Sequence, residues 1–228
     1  MSTEEFMRKL HKHAKFAGWF YFLIILTSIL SLIFLGGKYT VMGDSATTVA
    51  KMSNSPMYVR ITAVYEVIMF SAVIFLSVLL FELTKHLDAA LARTAMLLRM
   101  AEAVLGYFGI ILTLCILSTV SAGTTTVGTD TLPILLYDLK DLTYKVLMVC
   151  ISLGTVIFFS LFHKAKYVPK YLTVWGIVGF TLMIVASLLQ ILDLQAGVVV
   201  NVIAAALAIS FELVVGLWLI IKGIKVEH

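Results

Sequence analysis

The chain has 228 residues, of which 61% are apolar and only 13% are charged, and its net charge is +4. Soluble domains average about 45 to 50% apolar and about 25% charged residues, so a water-soluble fold cannot hide this much apolar surface. A mean hydropathy of +1.04 with only three prolines also excludes a disordered chain or a disulfide-stapled secreted module. We therefore predict an all-α, polytopic membrane protein.

Six stretches are long enough to cross a bilayer, which takes about 20 apolar residues of helix. The predicted helices cover about 16–35, 61–81, 94–122, 142–162, 172–192 and 197–221. We expect one transmembrane domain over residues 1–228, whose first helix is too long for a signal-peptide core. The fourth helix is expected to begin outside the membrane, capped by Asp130 or Thr131 with Pro133 in its first turn. The stretches 36–60 and 121–130 are expected to be loops.

The distribution of Lys and Arg predicts the orientation, because cytoplasmic loops are enriched in both. Eleven of the seventeen basic residues fall before the first helix, in the connections after the second and fourth helices, or after the sixth, and a twelfth, Arg99, lies just inside the third helix at the same end. Both termini are therefore predicted to be cytoplasmic. The basic residues are scattered over short loops, so we expect no nucleic-acid partner; the bilayer itself is the expected partner.

No catalytic, metal-binding or nucleotide-binding motif occurs in the sequence, so we predict no metal and no cofactor and lean against an enzyme. His11 and His13 lie in an N-terminal stretch expected to be a mobile basic tail. Cys115 and Cys150 fall inside predicted spans and are expected to be free thiols. His228, which follows Val-Glu, has the position of a purification-tag remnant.

Charged residues inside the predicted spans are the candidate functional residues, since each costs about 2.5 to 3.5 kcal/mol at the centre of a bilayer. Arg99 and Glu102 in the third helix share a face and a depth with Glu212 in the sixth. We predict that these two helices pack antiparallel and that Arg99 bridges Glu102 and Glu212. Tyr21 and Asn201 are the further candidates for this polar cluster.

Two acids and one arginine leave one excess negative charge, so one carboxyl group is expected to carry a proton. The cluster is then either a binding site for protons or a small polar ligand, or a buried network that only fixes helix register.

Other polar residues have simpler expected roles. Glu66 and Lys145 are predicted to form a secondary polar pair, or to reach the interface separately. Glu82, Lys85, His86 and Asp88 are expected to form a solvated face. Tyr167 is expected to belong to an interfacial aromatic belt.

Four segments carry a resemblance to a known family: KHAKFAGWFYFLII, LLRMAEAVLG, FHKAKYVPKYLTVWGIVG and FELVVGLWLIIKGIK. Together they resemble a family of bacterial six-helix inner-membrane proteins known only as a domain of unknown function. The resemblance implies a bacterial inner-membrane protein in which Arg99, Glu102 and Glu212 stand at the family's intramembrane charges. It implies no substrate, reaction or cofactor.

These observations predict a non-enzymatic inner-membrane protein whose buried Arg and Glu cluster lines a small ligand- or proton-binding cavity. A small secondary transporter or proton-coupled permease is one alternative, although no predicted span contains the proline interruptions common in such folds. A lipid-acting intramembrane enzyme would need a metal or an activated nucleophile, and a scaffold or sensor subunit would need a protein partner. The sequence indicates no oligomeric state.

Overall fold

A computed structural model describes residues 3–31, 37–41, 43–121 and 131–225, and the helices dominate these ranges. In chain order the helices are α1 (Thr3–Leu30), α2 (Gly37–Tyr39), α3 (Ser45–Asn54), α4 (Pro56–Thr84), α5 (Ala89–Ser121), α6 (Thr131–Lys164), α7 (Lys170–Ile191) and α8 (Ala196–Ile221). Six of them are long and apolar enough to span a membrane, and the described residues include no strand. The predicted all-helical membrane fold with six spanning helices is confirmed.

Local sequence signals explain where several helices begin. Asp44 caps α3 by accepting a hydrogen bond from the Thr47 backbone N–H. Pro56 stands in the first turn of α4, where the missing N–H removes no helical bond. Asp88 precedes α5 and accepts from the backbone of Ala90 and Leu91. These caps satisfy backbone donors that the first turn of a helix leaves open.

The six long helices form a closed ring. Each contacts the next long helix along the chain, and α8 returns to contact α1. The short connections after α4, α6 and α7 favour this order, because they place consecutive antiparallel helices side by side. Within the ring, α5 therefore stands opposite α8, separated from it on one side by α4 and α1 and on the other by α6 and α7. Aromatic side chains fill part of the interior, including Phe159, Phe180 and Phe211.

One end of the ring, which we call the lid end, carries α2, α3 and the connection between α7 and α8. Val49 and Met52 of α3 are buried against Ile116 and Leu117 of α5. Ser45 Oγ also donates a 2.6 Å hydrogen bond to Asp138 of α6. At 33 and 34 residues, α5 and α6 are about 50 Å long and extend past a hydrocarbon core about 30 Å thick. The short helices pack on these extensions.

The other end, which we call the terminal end, holds residues 3–15, the connections 85–88 and 165–169, and residues 222–225. The first and last described segments meet here, since a Cβ added to Gly223 would lie 2.9 Å from the ring of His11. The expected mobile basic tail is therefore wrong for the described residues: His11 and His13 belong to α1, which begins at Thr3. Leu10 and Ala14 of this segment are buried in the core, which explains its helical order.

The predicted loop over 36–60 is also wrong in part, because α2, α3 and the start of α4 occupy it. The buried residues of α3 form a single short stripe, Thr48, Val49 and Met52. In the sequence, a stripe of this length does not distinguish a helix from a Ser/Thr-rich loop. The end predicted for the first helix, the loop after α5, the candidate cap Asp130 and His228 lie outside the described residues. Both cysteines are free.

Candidate functional site

Arg99 and Glu102 form a buried ion pair on the inward face of α5. Their residues are only 2% and 3% exposed, and Arg99 Nη1 lies 2.9 Å from Glu102 Oε2. A spacing of three residues puts the two side chains on one face of the helix. The predicted ion pair between Arg99 and Glu102 is confirmed.

A glycine on the neighbouring helix makes room for the arginine side chain. A Cβ added to Gly154 of α6 would lie 2.9 Å from Arg99 Cγ and 3.1 Å from the carbonyl oxygen of Ala95. The methylene groups of Arg99 therefore pack directly on the α6 backbone. This close approach between α5 and α6 fixes the depth at which the guanidinium lies.

The hydrogen bonding of the pair is incomplete. Arg99 Nε and Nη1 and Glu102 Oε2 are buried without a hydrogen-bond partner among the described residues, because the 2.9 Å contact lacks hydrogen-bond alignment. Buried donors without partners are rare and costly in folded proteins. The guanidinium thus retains donor capacity that the described part of the chain does not use.

Glu212 does not complete the predicted bridge. Within the described residues it forms no ion pair or hydrogen bond with Arg99, and no Cα pair joining α5 to α8 lies within 8 Å. The prediction that these helices pack together is wrong, because they stand opposite each other in the ring. The small residues of α8 serve other neighbours: Gly216 faces α1, and Ala208 packs near Gly179 of α7.

Tyr21 of α1 links the two halves of the site. It is 2% exposed, and a Cβ added to Gly216, one turn beyond Glu212, would lie 3.0 Å from Tyr21 Cβ. Tyr21 lies within electrostatic range of Arg99, Glu212 and Glu102. We call these four residues the polar group. It is spread over three helices and combines two carboxyl groups, one guanidinium and one phenol.

Asn201 lies outside the polar group. It precedes Glu212 by eleven residues on α8, which is about 16 Å along the helix axis. Among the residues that the structure describes, the predicted pair between Glu66 and Lys145 does not form: Lys145 Nζ lies 2.9 Å from Asp141 Oδ2, one turn earlier on α6. Asp141 is adjacent to Lys145 on the helix surface. A pair with Asp141 therefore loses less side-chain freedom than a pair with Glu66 of α4 would.

The terminal end contains a set of hydrogen-bonded and packed side chains that sequence reasoning missed. His86 Nε2 and the Tyr167 hydroxyl lie 2.6 Å apart, and Phe6 packs edge-on against the His86 ring. The Lys225 backbone N–H donates a 2.7 Å hydrogen bond to the Tyr167 carbonyl. Four separate segments therefore meet at one point. Lys85 and His86 are exposed, in line with the predicted solvated face, whereas Tyr167, expected in an interfacial belt, is buried at 3% exposed.

Burial sets the ionisation of this contact. It lowers the pKa of His86 from 6.5, helped by the neighbouring Lys85, so the neutral imidazole is favoured. It raises the pKa of Tyr167 to about 12, so the phenol keeps its proton. No local sequence signal predicts this contact, because His86 and Tyr167 are 81 residues apart in the chain.

Two kinds of chemistry are available to the polar group. It can hold a proton on a carboxyl group that lacks a cationic partner, and it can donate hydrogen bonds from Arg99 to a small acceptor. A metal site has less support, since no three His, Cys, Asp or Glu residues are grouped suitably in the described ranges.

Comparison with protein families gives one match. The model described as "Domain of unknown function (DUF4386)" matches residues 16–223, which include the second half of α1, the other five spanning helices and the whole polar group. The chain belongs to the DUF4386 family. No curated protein and no solved structure matches the chain. Membership confirms the suspected family, and DUF4386 carries no assigned activity.

Proposed function

We propose that this DUF4386 protein is a non-enzymatic membrane protein that binds a proton at Glu212 within the polar group. Support comes from the charge arrangement: Arg99 is already paired with Glu102, while Glu212 lies in a spanning helix without an ion pair among the described residues. An ionised carboxyl group at that depth costs several kcal/mol. Proton binding removes this charge, and Tyr21 supplies a neighbouring hydroxyl.

Infrared spectroscopy of the protein in lipid vesicles tests this proposal. We expect a protonated-carboxyl C=O band at neutral pH that Glu212→Gln removes. Glu66→Gln is the matched control, because Glu66 also lies in a spanning helix but outside the polar group, and it should leave the band in place. A band that survives Glu212→Gln contradicts the proposal.

Proton transport is a stronger form of the same proposal. It requires that the proton on Glu212 exchange with both sides of the membrane, through paths that open alternately. Proton flux into vesicles that disappears in Glu212→Gln supports the transporter, whereas a bound proton without flux supports a binding or sensing role.

A small polar ligand is a second candidate, and the unpartnered guanidinium nitrogens of Arg99 favour it. Such a ligand would bring an acceptor atom, as a carboxylate does, to Nε or Nη1. Acetate and inorganic phosphate are suitable probes. A rise in melting temperature with either probe in the wild type, lost in Arg99→Lys, supports this candidate, since Lys presents no fork of donors.

The proposed location is a bacterial cytoplasmic membrane with both termini in the cytoplasm. Residues at the terminal end supply most of the basic charge, including Arg8, Lys9, Lys12, Lys85, Lys164, Lys166, Lys170, Lys222 and Lys225. The positive-inside rule places such an end in the cytoplasm. Glu212 then lies nine residues, or about 14 Å, from the inner end of α8.

A further inference from the structure

A polar cleft opens at the lid end, away from the polar group. Lys145 of α6, Gln190 of α7, Asp193 and Gln195 of the following connection, Leu194 and Val198 line it, and its free volume is about 80 Å³. The cleft therefore presents one ammonium, one carboxylate and two amide side chains within one small space.

The cleft lies at the depth of the lipid headgroups. Between Lys145 and Lys164 of α6 no residue is charged, and these 19 steps measure about 28 Å, close to the thickness of a hydrocarbon core. Likewise α7 and its ends are uncharged between Lys170 and Asp193. Both charged walls of the cleft thus mark the boundary of the bilayer.

Apolar side chains extend from the cleft toward the lipid. Leu194 and Val198 line the cleft and are 49% and 47% exposed. Val146, next to Lys145 on α6, is 46% exposed. A molecule bound here meets polar groups at one end and an apolar surface at the other, which is the arrangement that a phospholipid requires.

The backbone holds Asp193 in place. Its φ is +57°, a left-handed conformation that few residues other than Gly, Asn and Asp adopt readily. Its N–H bonds to the Gln190 carbonyl at 3.1 Å, and the next N–H bonds to the Leu189 carbonyl at 2.9 Å, as in the caps that end helices with one left-handed residue. The backbone of Asp193 is therefore held at the end of α7, and its carboxylate extends from that position.

We infer that this cleft binds the headgroup of a zwitterionic phospholipid that carries a primary ammonium. Asp193 and the amide oxygens accept from the ammonium, and Lys145 and the amide N–H groups donate to the phosphodiester. Lys145 already has Asp141 as a partner, so the acidic charge exceeds the basic charge at the site. This excess favours a ligand with its own cationic group over an anionic lipid.

Lipid titration of purified, delipidated protein in detergent tests this inference by melting temperature. We expect phosphatidylethanolamine to stabilise the protein more than phosphatidylcholine, whose trimethylated nitrogen has no N–H to donate, and more than phosphatidylglycerol, which has no ammonium. Equal stabilisation by all three lipids would overturn the inference.

Asp193→Asn is the decisive variant, because Asn tolerates the same left-handed backbone and changes only the charge. It should weaken phosphatidylethanolamine binding about tenfold, the change expected from loss of one charge-assisted hydrogen bond. Lys140→Gln is the control, because Lys140 lies on α6 with Lys145 but outside the cleft, and it should bind as the wild type does. Unchanged binding by Asp193→Asn contradicts the inference.

Soluble phosphorylethanolamine separates a lipid from a free solute of the same chemistry. A comparable stabilisation by this solute would overturn the lipid assignment, since the apolar walls would then contribute nothing. These measurements leave Glu212 intact, so their failure and the failure of the proposed proton site are distinguishable.

Discussion

Arg99 is a fully enclosed cation whose charge is balanced by one residue on its own helix. Glu102 lies three positions away, so the pair forms as soon as α5 is helical. Sequence spacing predicted this contact because it depends on helix geometry alone. The proposed second contact to Glu212 required two helices to be neighbours, and equal depth in the membrane did not establish that.

Removing Arg99 should destabilise the protein mainly through Glu102. In Arg99→Ala the buried carboxylate loses its partner, and breaking a buried pair in this way costs about 3 to 5 kcal/mol. We expect a lower melting temperature in detergent, with Glu102→Gln restoring more of the loss than Glu212→Gln does. Equal rescue by the two glutamine variants would show that the guanidinium serves both acids alike.

Gly154 should be intolerant of even one added methyl group. In Gly154→Ala the new Cβ meets both the Arg99 side chain and the rigid Ala95 carbonyl, and overpacking of this kind costs about 1 to 3 kcal/mol. Gly109→Ala on α5 is the matched control, because nothing lies within 4 Å of its Cβ position. Thermal melting should show a loss for Gly154→Ala and no loss for Gly109→Ala, whose helix propensity improves.

At the scale of elements, the spanning helices follow from composition, whereas the short helices and the connections depend on tertiary contacts. α3 is held by the buried residues Val49 and Met52; its own sequence, rich in Ser and Thr, favours a loop. The connection at His86 is similarly ordered by Tyr167 from a segment 81 residues away. No local pattern predicts such a partner.

The contact between the two terminal-end connections should depend on pH. Because burial and Lys85 lower the pKa of His86 below 6.5, the unfolded chain binds a proton at higher pH than the folded chain. The stabilisation is therefore complete above about pH 6.5 and is lost as the pH falls through the folded-state pKa.

Hydrogen-exchange protection factors of residues 85–88 and 165–169, measured from pH 8 to pH 5, check this prediction. Protection should fall with pH in the wild type and change less in His86→Gln, which keeps a hydrogen-bonding group without the titration. His163→Gln is the control, since His163 bonds to Thr173 instead. A pH response that persists unchanged in His86→Gln would assign it to another group.

At the scale of the molecule, hydropathy predicted the six spanning helices. It does not predict which helices are neighbours, and the closed ring supplies that information. Gly18 of α1 lies against the Gly216 carbonyl of α8: a Cβ added to Gly18 would approach that oxygen to 2.7 Å. Small residues permit such close packing in lipid. Both glycines are present in the sequence, but their contact cannot be predicted without knowing that α1 and α8 are neighbours.

The proposed orientation is checked by labelling in intact cells with a membrane-impermeant maleimide. Lys51→Cys, on exposed α3 at the lid end, should react in intact cells, whereas Lys222→Cys at the terminal end should react only after the membrane is opened. The wild type is the control, because Cys115 and Cys150 lie within spanning helices. The reverse pattern would invert the proposed topology.

The contact between the first and last spanning helices has a consequence for biosynthesis. α1 leaves the ribosome first, yet one of its two long neighbours, α8, is made only after about 170 further residues have been inserted. Until then the face of α1 that carries Gly18 and Tyr21 must rest against lipid or an insertion factor. A nascent chain that ends before α8 therefore leaves this face of α1 without its helix partner, and the ring can close only when synthesis of α8 is complete.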